Sequence, residues 1–257
     1  MSPRRTTPWP AGTPCWIDLV TPDLDGARAF YGAVLGWQFG EPDASHGGYC
    51  LAEIDGALVA GIAPARGGMQ PAWTLYLASD DVDATAAAIT EAGGQLLGGV
   101  LGLGATGRMA VALDPLGAQF AVWEAGDRLG VGLHNEPGGL AWEDLRSTDP
   151  EAARAFYATV LGWRYEPLEM AGPDYATIHL GDGPPVGGLG GMMGMDGFPS
   201  HWIVYLAVAD TDSAVARTEE HGGFVLSPGF DTEFGRMAAL TDPYGAAFWV
   251  VQLTEQA

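Results

Sequence analysis

Apolar and polar positions alternate with period two over residues 15–20, the mark of a strand with one buried face. The period then lengthens. Ala27, Phe30, Tyr31, Val34 and Leu35 fall on one stripe of a helix that Asp23 can cap and Gly36 can end. Short strands follow near 37–40, 49–54 and 57–63. The pattern then restarts with a strand at 73–79, Asp81 opening a helix that runs to 91, and Gly93-Gly94 ending it. Strands near 95–100, 108–113 and 118–124 complete the second round.

The whole arrangement is then written again. CWIDLVTPDLDGARAFYGAVLGW at 15–37 returns as AWEDLRSTDPEAARAFYATVLGW at 141–163. Trp73-Thr-Leu-Tyr-Leu-Ala matches Trp202-Ile-Val-Tyr-Leu-Ala, Gly107-Arg-Met-Ala matches Gly235-Arg-Met-Ala, and Asp114-Pro-Leu-Gly matches Asp242-Pro-Tyr-Gly. The spacing predicts a flexible N-terminal tail at 1–12, a first domain at 13–125, a linker at 126–138 rich in Gly, Pro and Asn, and a second domain at 139–257. Each domain holds two strand–helix–strands units.

Composition agrees with two folded domains. The 257 residues divide into two of roughly 125, enough for real cores. The net charge of −21 makes nucleic acid and anionic membrane surfaces poor partners. All eleven basic residues are Arg. Cys15 and Cys50 are no disulfide framework and read as small buried residues. MSPRRTTPWPAG lacks the apolar run of a signal peptide, and no stretch has the length of a membrane span, so a cytoplasmic protein is expected.

A strand, then D-x-x-x-A-x-x-F-Y-x-x-x-L-G-W, short strands, and D-P-x-G before a last strand resembles the vicinal oxygen chelate superfamily. That superfamily includes glyoxalase I, bleomycin-resistance proteins and extradiol dioxygenases. The resemblance covers nearly the whole chain. It implies an α+β fold of two tandem domains, each made of two βαβββ modules curling into a half-open barrel round a cleft, often paired as a dimer is. Here the partner would be the chain's own second domain, or a second copy in a homodimer. Catalytic members hold a divalent metal with His, Glu or Gln on module strands. Carried onto this chain, those positions fall at Trp16 and Trp142, near Gly61 and Gly188, near Thr74 and Ile203, and at Ala121 and Trp249. None is a usual ligand. Of the five His, only His179 lies within a strand, opposite Glu53 in the first copy. The resemblance therefore implies a lost metal site and no expected cofactor.

Strand parity then puts Trp16, Asp18 and Val20 on the cleft face, with Trp142, Asp144 and Arg146 in the second copy. Thr74 and Tyr76 join them, as do Ile203 and Tyr205, and on the last strands Gln119, Ala121 and Trp123 with Ala247, Trp249 and Val251. The candidate ligand-binding residues are Trp16, Asp18, Thr74, Tyr76, Trp123, Trp142, Asp144, Arg146, Tyr205 and Trp249. Indole faces suit flat aromatic ligands, each good contact adding about 0.5–1.5 kcal/mol beyond area burial. An anionic cleft would favour a cationic one.

Gly187-Gly-Leu-Gly-Gly and 102–107 read as turns or a flap, and Met192, Met193 and Met195 as loop packing. Arg108 and Arg236 read as partners of carboxylates. Two functions are open. One is metal-independent binding of an aromatic small molecule, as bleomycin-resistance proteins do. The other is a glyoxalase-like lyase or a hydroxylase or dioxygenase-like enzyme. It would need a divalent metal at a non-classical site, or acid–base work by Asp18 or Asp144. A pair of domains kept for structure is a third possibility.

Overall fold

The computed structural model describes residues 5–172, 174–194 and 197–254, so Met195 lies outside the described residues. The first copy contains strands β1 (Pro14–Thr21), β2 (Gln38–Phe39), β3 (Cys50–Ile54), β4 (Ala57–Pro64), β5 (Ala72–Ala78), β6 (Gln95–Leu96), β7 (Leu101–Gly102), β8 (Gly107–Leu113) and β9 (Gln119–Ala125). The second contains β10 (Leu140–Arg146), β11 (Arg164–Pro167), β12 (Ala176–His179), β13 (Pro185–Gly190), β14 (His201–Ala207), β15 (Phe224–Thr232), β16 (Gly235–Thr241) and β17 (Ala247–Leu253). Helices α1 (Leu24–Leu35), α2 (Val82–Glu91), α3 (Pro150–Leu161) and α4 (Thr211–Glu220) each follow the first strand of a module.

All four helices start the same way. Asp23, Asp81, Asp149 and Asp210 each accept a hydrogen bond from the third residue onward, filling one orphan donor of the first turn. Gly36 and Gly162 end α1 and α3 at φ 78° and 70°, a conformation that a Cβ would strain.

Each copy folds its two modules into one open sheet. The orders are β2-β3-β4-β1-β5-β9-β8-β6 and β11-β12-β13-β10-β14-β17-β16-β15. The modules join along an antiparallel seam, β1 against β5 and β10 against β14, while β1·β4 and β5·β9 run parallel. The expected strand at 95–100 is only two short pairings, interrupted at Gly98-Gly99, where Gly98 has φ 113°. Its counterpart β15 is continuous but bulged. Gly187–Gly190 is neither turn nor flap; it lies inside β13, hydrogen-bonded beside β10.

One face of each sheet is covered by helices and by the other copy. A single core cluster takes Ile17, Leu19, Phe30, Leu75 and Phe120 from the first copy and Leu145, Phe156, Trp202, Leu240 and Phe248 from the second. α1 meets α4, and α2 meets α3. The repeated F-Y and G-W words write this interface. Tyr31 donates to Asp242 at 3.2 Å and Tyr157 to Asp114 at 3.3 Å. Trp37 Nε1 donates to the Gly138 carbonyl at 2.7 Å and Trp163 Nε1 to the Gly12 carbonyl at 2.9 Å. Each Tyr also stacks on its own Trp, with centroids 5.4 and 4.9 Å apart.

Two connecting segments are therefore equivalent parts of the pairing. Residue 12 of the N-terminal segment and residue 138 of the linker each donate a backbone N–H to the other side of a seam, to Ala78 and Ala207. The rest of the linker is tied to the first sheet, with Arg128 N bonded to Thr106 O, Val131 N to Cys15 O and Gly132 N to Leu58 O. No helix among the described residues is long and apolar enough to cross a membrane.

Candidate functional site

The other face of the first sheet opens into a cleft of about 630 Å³. Alternation along β1 sends Ile17 and Leu19 into the core and Trp16 and Asp18 into the cleft. The seam places Trp16 opposite Tyr76 and Asp18 opposite Thr74, and β9 sets Ala121 beside Tyr76 and Trp123 beside Ala78. Trp16, Tyr76 and Trp123 are almost fully covered, packed with Met109, Leu51 and Val131. Trp123 Nε1 donates to the Arg128 carbonyl at 3.0 Å, so the linker closes one wall. Thr74 is buried too, accepting from Gln119 at 2.9 Å, and does not line the cavity.

Asp18 is the hub. Its Oδ1 accepts from Trp16 Nε1 at 2.7 Å and from Tyr49 Oη at 2.6 Å, and its Oδ2 accepts from Tyr76 Oη at 2.6 Å. Such short O–H···O contacts are those of an ionised acceptor. Burial pushes the Asp18 carboxyl above its ordinary range, against the pull of these donors and of the Arg128 charge. Burial and the Asp18 charge together hold the Tyr49 and Tyr76 phenols well above theirs.

The second copy builds the same hub. Trp142 donates to Asp144 Oδ1 at 2.9 Å, Tyr175 to the same atom at 2.6 Å, and Tyr205 to Oδ2 at 2.9 Å. Arg146 completes it by donating to Oδ2 at 2.6 Å, and both charged side chains are buried. Burial opposes the Arg146 charge, but Asp144 and the tyrosines outweigh it and raise its affinity for the proton. Trp249 lies against Tyr205, centroids 5.3 Å apart, where the first copy has Ala121.

Tyr49 and Tyr175 stand just before β3 and β12, strands whose parity the sequence reading does not follow. A repeat signal was there to find: each follows its Asp by the same interval, |i−j| = 31. Arg128 was hidden differently, in a segment read as a linker. Arg108 and Arg236 do bind carboxylates, Asp83 at 2.8 Å and Asp212 at 2.9 Å. His179 is engaged within its own hairpin, with Thr177 at 2.8 Å and the Gly183 carbonyl at 3.0 Å.

Two segments of the chain, 15–123 and 144–251, match the glyoxalase-like domain family. The chain belongs to that family. It is 38% identical over 264 residues to the Mycobacterium bovis protein named "Putative glyoxylase CFP32", covering 99% of both chains. It is 37% identical to the anthracycline biosynthesis protein DnrV of Streptomyces peucetius, covering 95% of this chain and 94% of that one. Its fold matches the Mn(II)-bound glyoxalase of Novosphingobium aromaticivorans with a TM-score of 0.66 at 18% identity, over 96% of this chain and 86% of the other. The tandem arrangement is that of the vicinal oxygen chelate superfamily.

The metal of such glyoxalases does not fit the residues present here. No group of three or more His, Cys, Asp or Glu among the described residues could hold an ion. Gly61 and Gly188 leave no room for any side chain. A Cβ built at Gly61 would clash with Tyr49 Oη and Asp18 Oδ1, and one at Gly188 with Tyr175 and Asp144. In each copy a Tyr–Asp hydrogen bond fills the space beside the glycine.

Proposed function

We propose that the first cleft binds a flat aromatic small molecule without metal chemistry, in a chain divided into glyoxalase-like domains at 13–125 and 139–257. The observation that carries this reading is the cleft itself. About 630 Å³ is lined on one side by Trp16, Tyr49, Tyr76, Trp123 and Met109, with the Asp18 carboxylate held in a fixed orientation among them, and on the other by Glu41, Asp43, His46 and Arg66. That is the mix of apolar walls and few placed polar groups that small-molecule sites share. DnrV, named for anthracycline biosynthesis, lends support, since anthracyclines are planar and polycyclic. The expected affinity is on the order of micromolar from three or four aromatic contacts.

Trp16→Ala is expected to weaken binding of a planar tricyclic compound about tenfold to a hundredfold, while a chelator in the buffer changes nothing. Isothermal titration reads both. Unchanged affinity in Trp16→Ala, or binding abolished by the chelator, would refute the reading.

A second reading is favoured by the raised proton affinity of Asp18. A carboxylate among indoles and phenols can remove a proton from an activated carbon acid. Under it, Asp18→Asn stops turnover while a neutral planar compound still binds.

A further inference from the structure

The two Asp hubs are close copies that differ in one occupant. In the second, the Arg146 guanidinium sits on Asp144 Oδ2 and lies over the Tyr175 ring, 5.3 Å from its centroid. Space for it comes from Gly190, its partner on β13, where an added Cβ would come within 3.3 Å of the guanidinium. Asp144 is thereby sealed, only 3% exposed. In the first copy the matching positions are Val20 and Ala63. Asp18 is left half-covered and lines the open cleft. Among the described residues no ion pair reaches it, and its Oδ2 accepts from Tyr76 alone.

A carboxylate held by neutral donors in an aromatic pocket has lost water without gaining a charge in contact, which is unfavourable. The second copy supplies that charge from its own chain. The first does not. Arg128 lies 5.6 Å over the Trp16 and Tyr49 rings, and its guanidinium makes no hydrogen bond or ion pair with Asp18. Arg66, the other guanidinium on the wall, donates to the Gly47 carbonyl.

We propose that Asp18, Trp16, Tyr49 and Tyr76 form the seat for a cationic head, an alkylammonium or guanidinium, on the planar ligand of the first cleft, and that Arg146 is the built-in equivalent of that head in the second. This rests on the reading of the first cleft as an aromatic-binding site. The cation would donate to Oδ2 as Arg146 does and face the Tyr49 ring as Arg146 faces Tyr175. Arg128, over the same Tyr49 and Trp16 rings, is then a like charge that the ligand's cation must displace or share the site with.

Three probes with one ring system test this: 9-(aminomethyl)anthracene, 9-anthracenemethanol and anthracene-9-carboxylate, each titrated into the full chain. The amine is expected to bind at least about tenfold tighter than the alcohol, and the carboxylate weakest. Asp18→Asn should erase the preference for the amine while the alcohol still binds. The double variant Val20→Arg with Ala63→Gly, copying the second hub, should bring the amine down to the level of the alcohol. Arg128→Ala should tighten the amine severalfold. Equal binding of all three rings overturns the cationic seat and leaves the aromatic reading standing. A preference for the carboxylate that Arg128→Ala removes assigns the anchor to Arg128 instead. If no ring binds, both proposals fall.

Discussion

Asp242→Ala is expected to cost about 3 kcal/mol of stability, more than most single changes outside a core. The carboxylate is fully buried and serves two structures at once. Its Oδ1 accepts from the backbone N–H groups of Tyr244 and Ala246, both at 2.9 Å, closing the turn before β17, and its Oδ2 accepts from Tyr31 of the other domain. Alanine leaves three donors without this partner, two of them buried at about 1–3 kcal/mol each before relaxation. Tyr31→Phe removes only the link between domains and is expected to cost about 1 kcal/mol. Urea unfolding followed by tryptophan fluorescence measures both. Because the core is continuous, one transition is expected in every variant, shifted but not split. Two separate transitions, or an Asp242→Ala midpoint equal to that of the unaltered protein, would contradict this account.

Glu143→Ile is expected to act in the opposite direction, stabilising the protein by about 2–4 kcal/mol at neutral pH. Glu143 sits on the core side of β10, 1% exposed, and its Oε1 finds no hydrogen-bond partner among the described residues. The first copy has Ile17 at this place, fully buried. Burial, with the adjacent Asp144 charge, pushes the Glu143 carboxyl well above its ordinary range, and Glu143 in turn weighs on buried Cys15. The folded chain thus holds a proton that the unfolded chain releases near pH 4.3. The contribution of the neutral carboxyl is complete below that pH and is lost as pH rises toward the elevated folded value. Isoleucine removes this dependence. The gap between the variant and the parent should therefore widen from pH 4 to pH 8 in thermal unfolding. A gap that stays constant or narrows would mean that Glu143 is paired.

The fold was legible because its determinants are local and repeated. Asp at each helix start, Gly at the ends of α1 and α3 and the switch from period two to a helical stripe recur at matching places in both copies. Alternation along β1 likewise separates Trp16 and Asp18 from Ile17 and Leu19. What parity cannot reach is a side chain that arrives from outside a regular strand, as Arg128 does. Nor does it show what a residue touches. Val20 and Arg146 share a position, but only the hydrogen bond to Asp144 reveals that the difference loads one hub and leaves the other without an ion pair. The glycines misled for a related reason. Gly188 and Gly190 look like turn residues in the sequence, yet they are strand residues kept small by the Tyr175 ring and the hub beside it.

The crossed pairing of tyrosines and aspartates has a consequence for how the two halves can change over time. Each half contributes helices and a buried carboxylate that the other half cannot do without. The second half therefore keeps its place in the molecule even where its own hub has been shut by Arg146. Selection can hold its back while releasing its concave side. Tolerance to random substitution should then be uneven in a specific way: low at Tyr157, Asp242 and Phe248 in the second half, and higher round Trp142 and Trp249 than round their opposite numbers in the first.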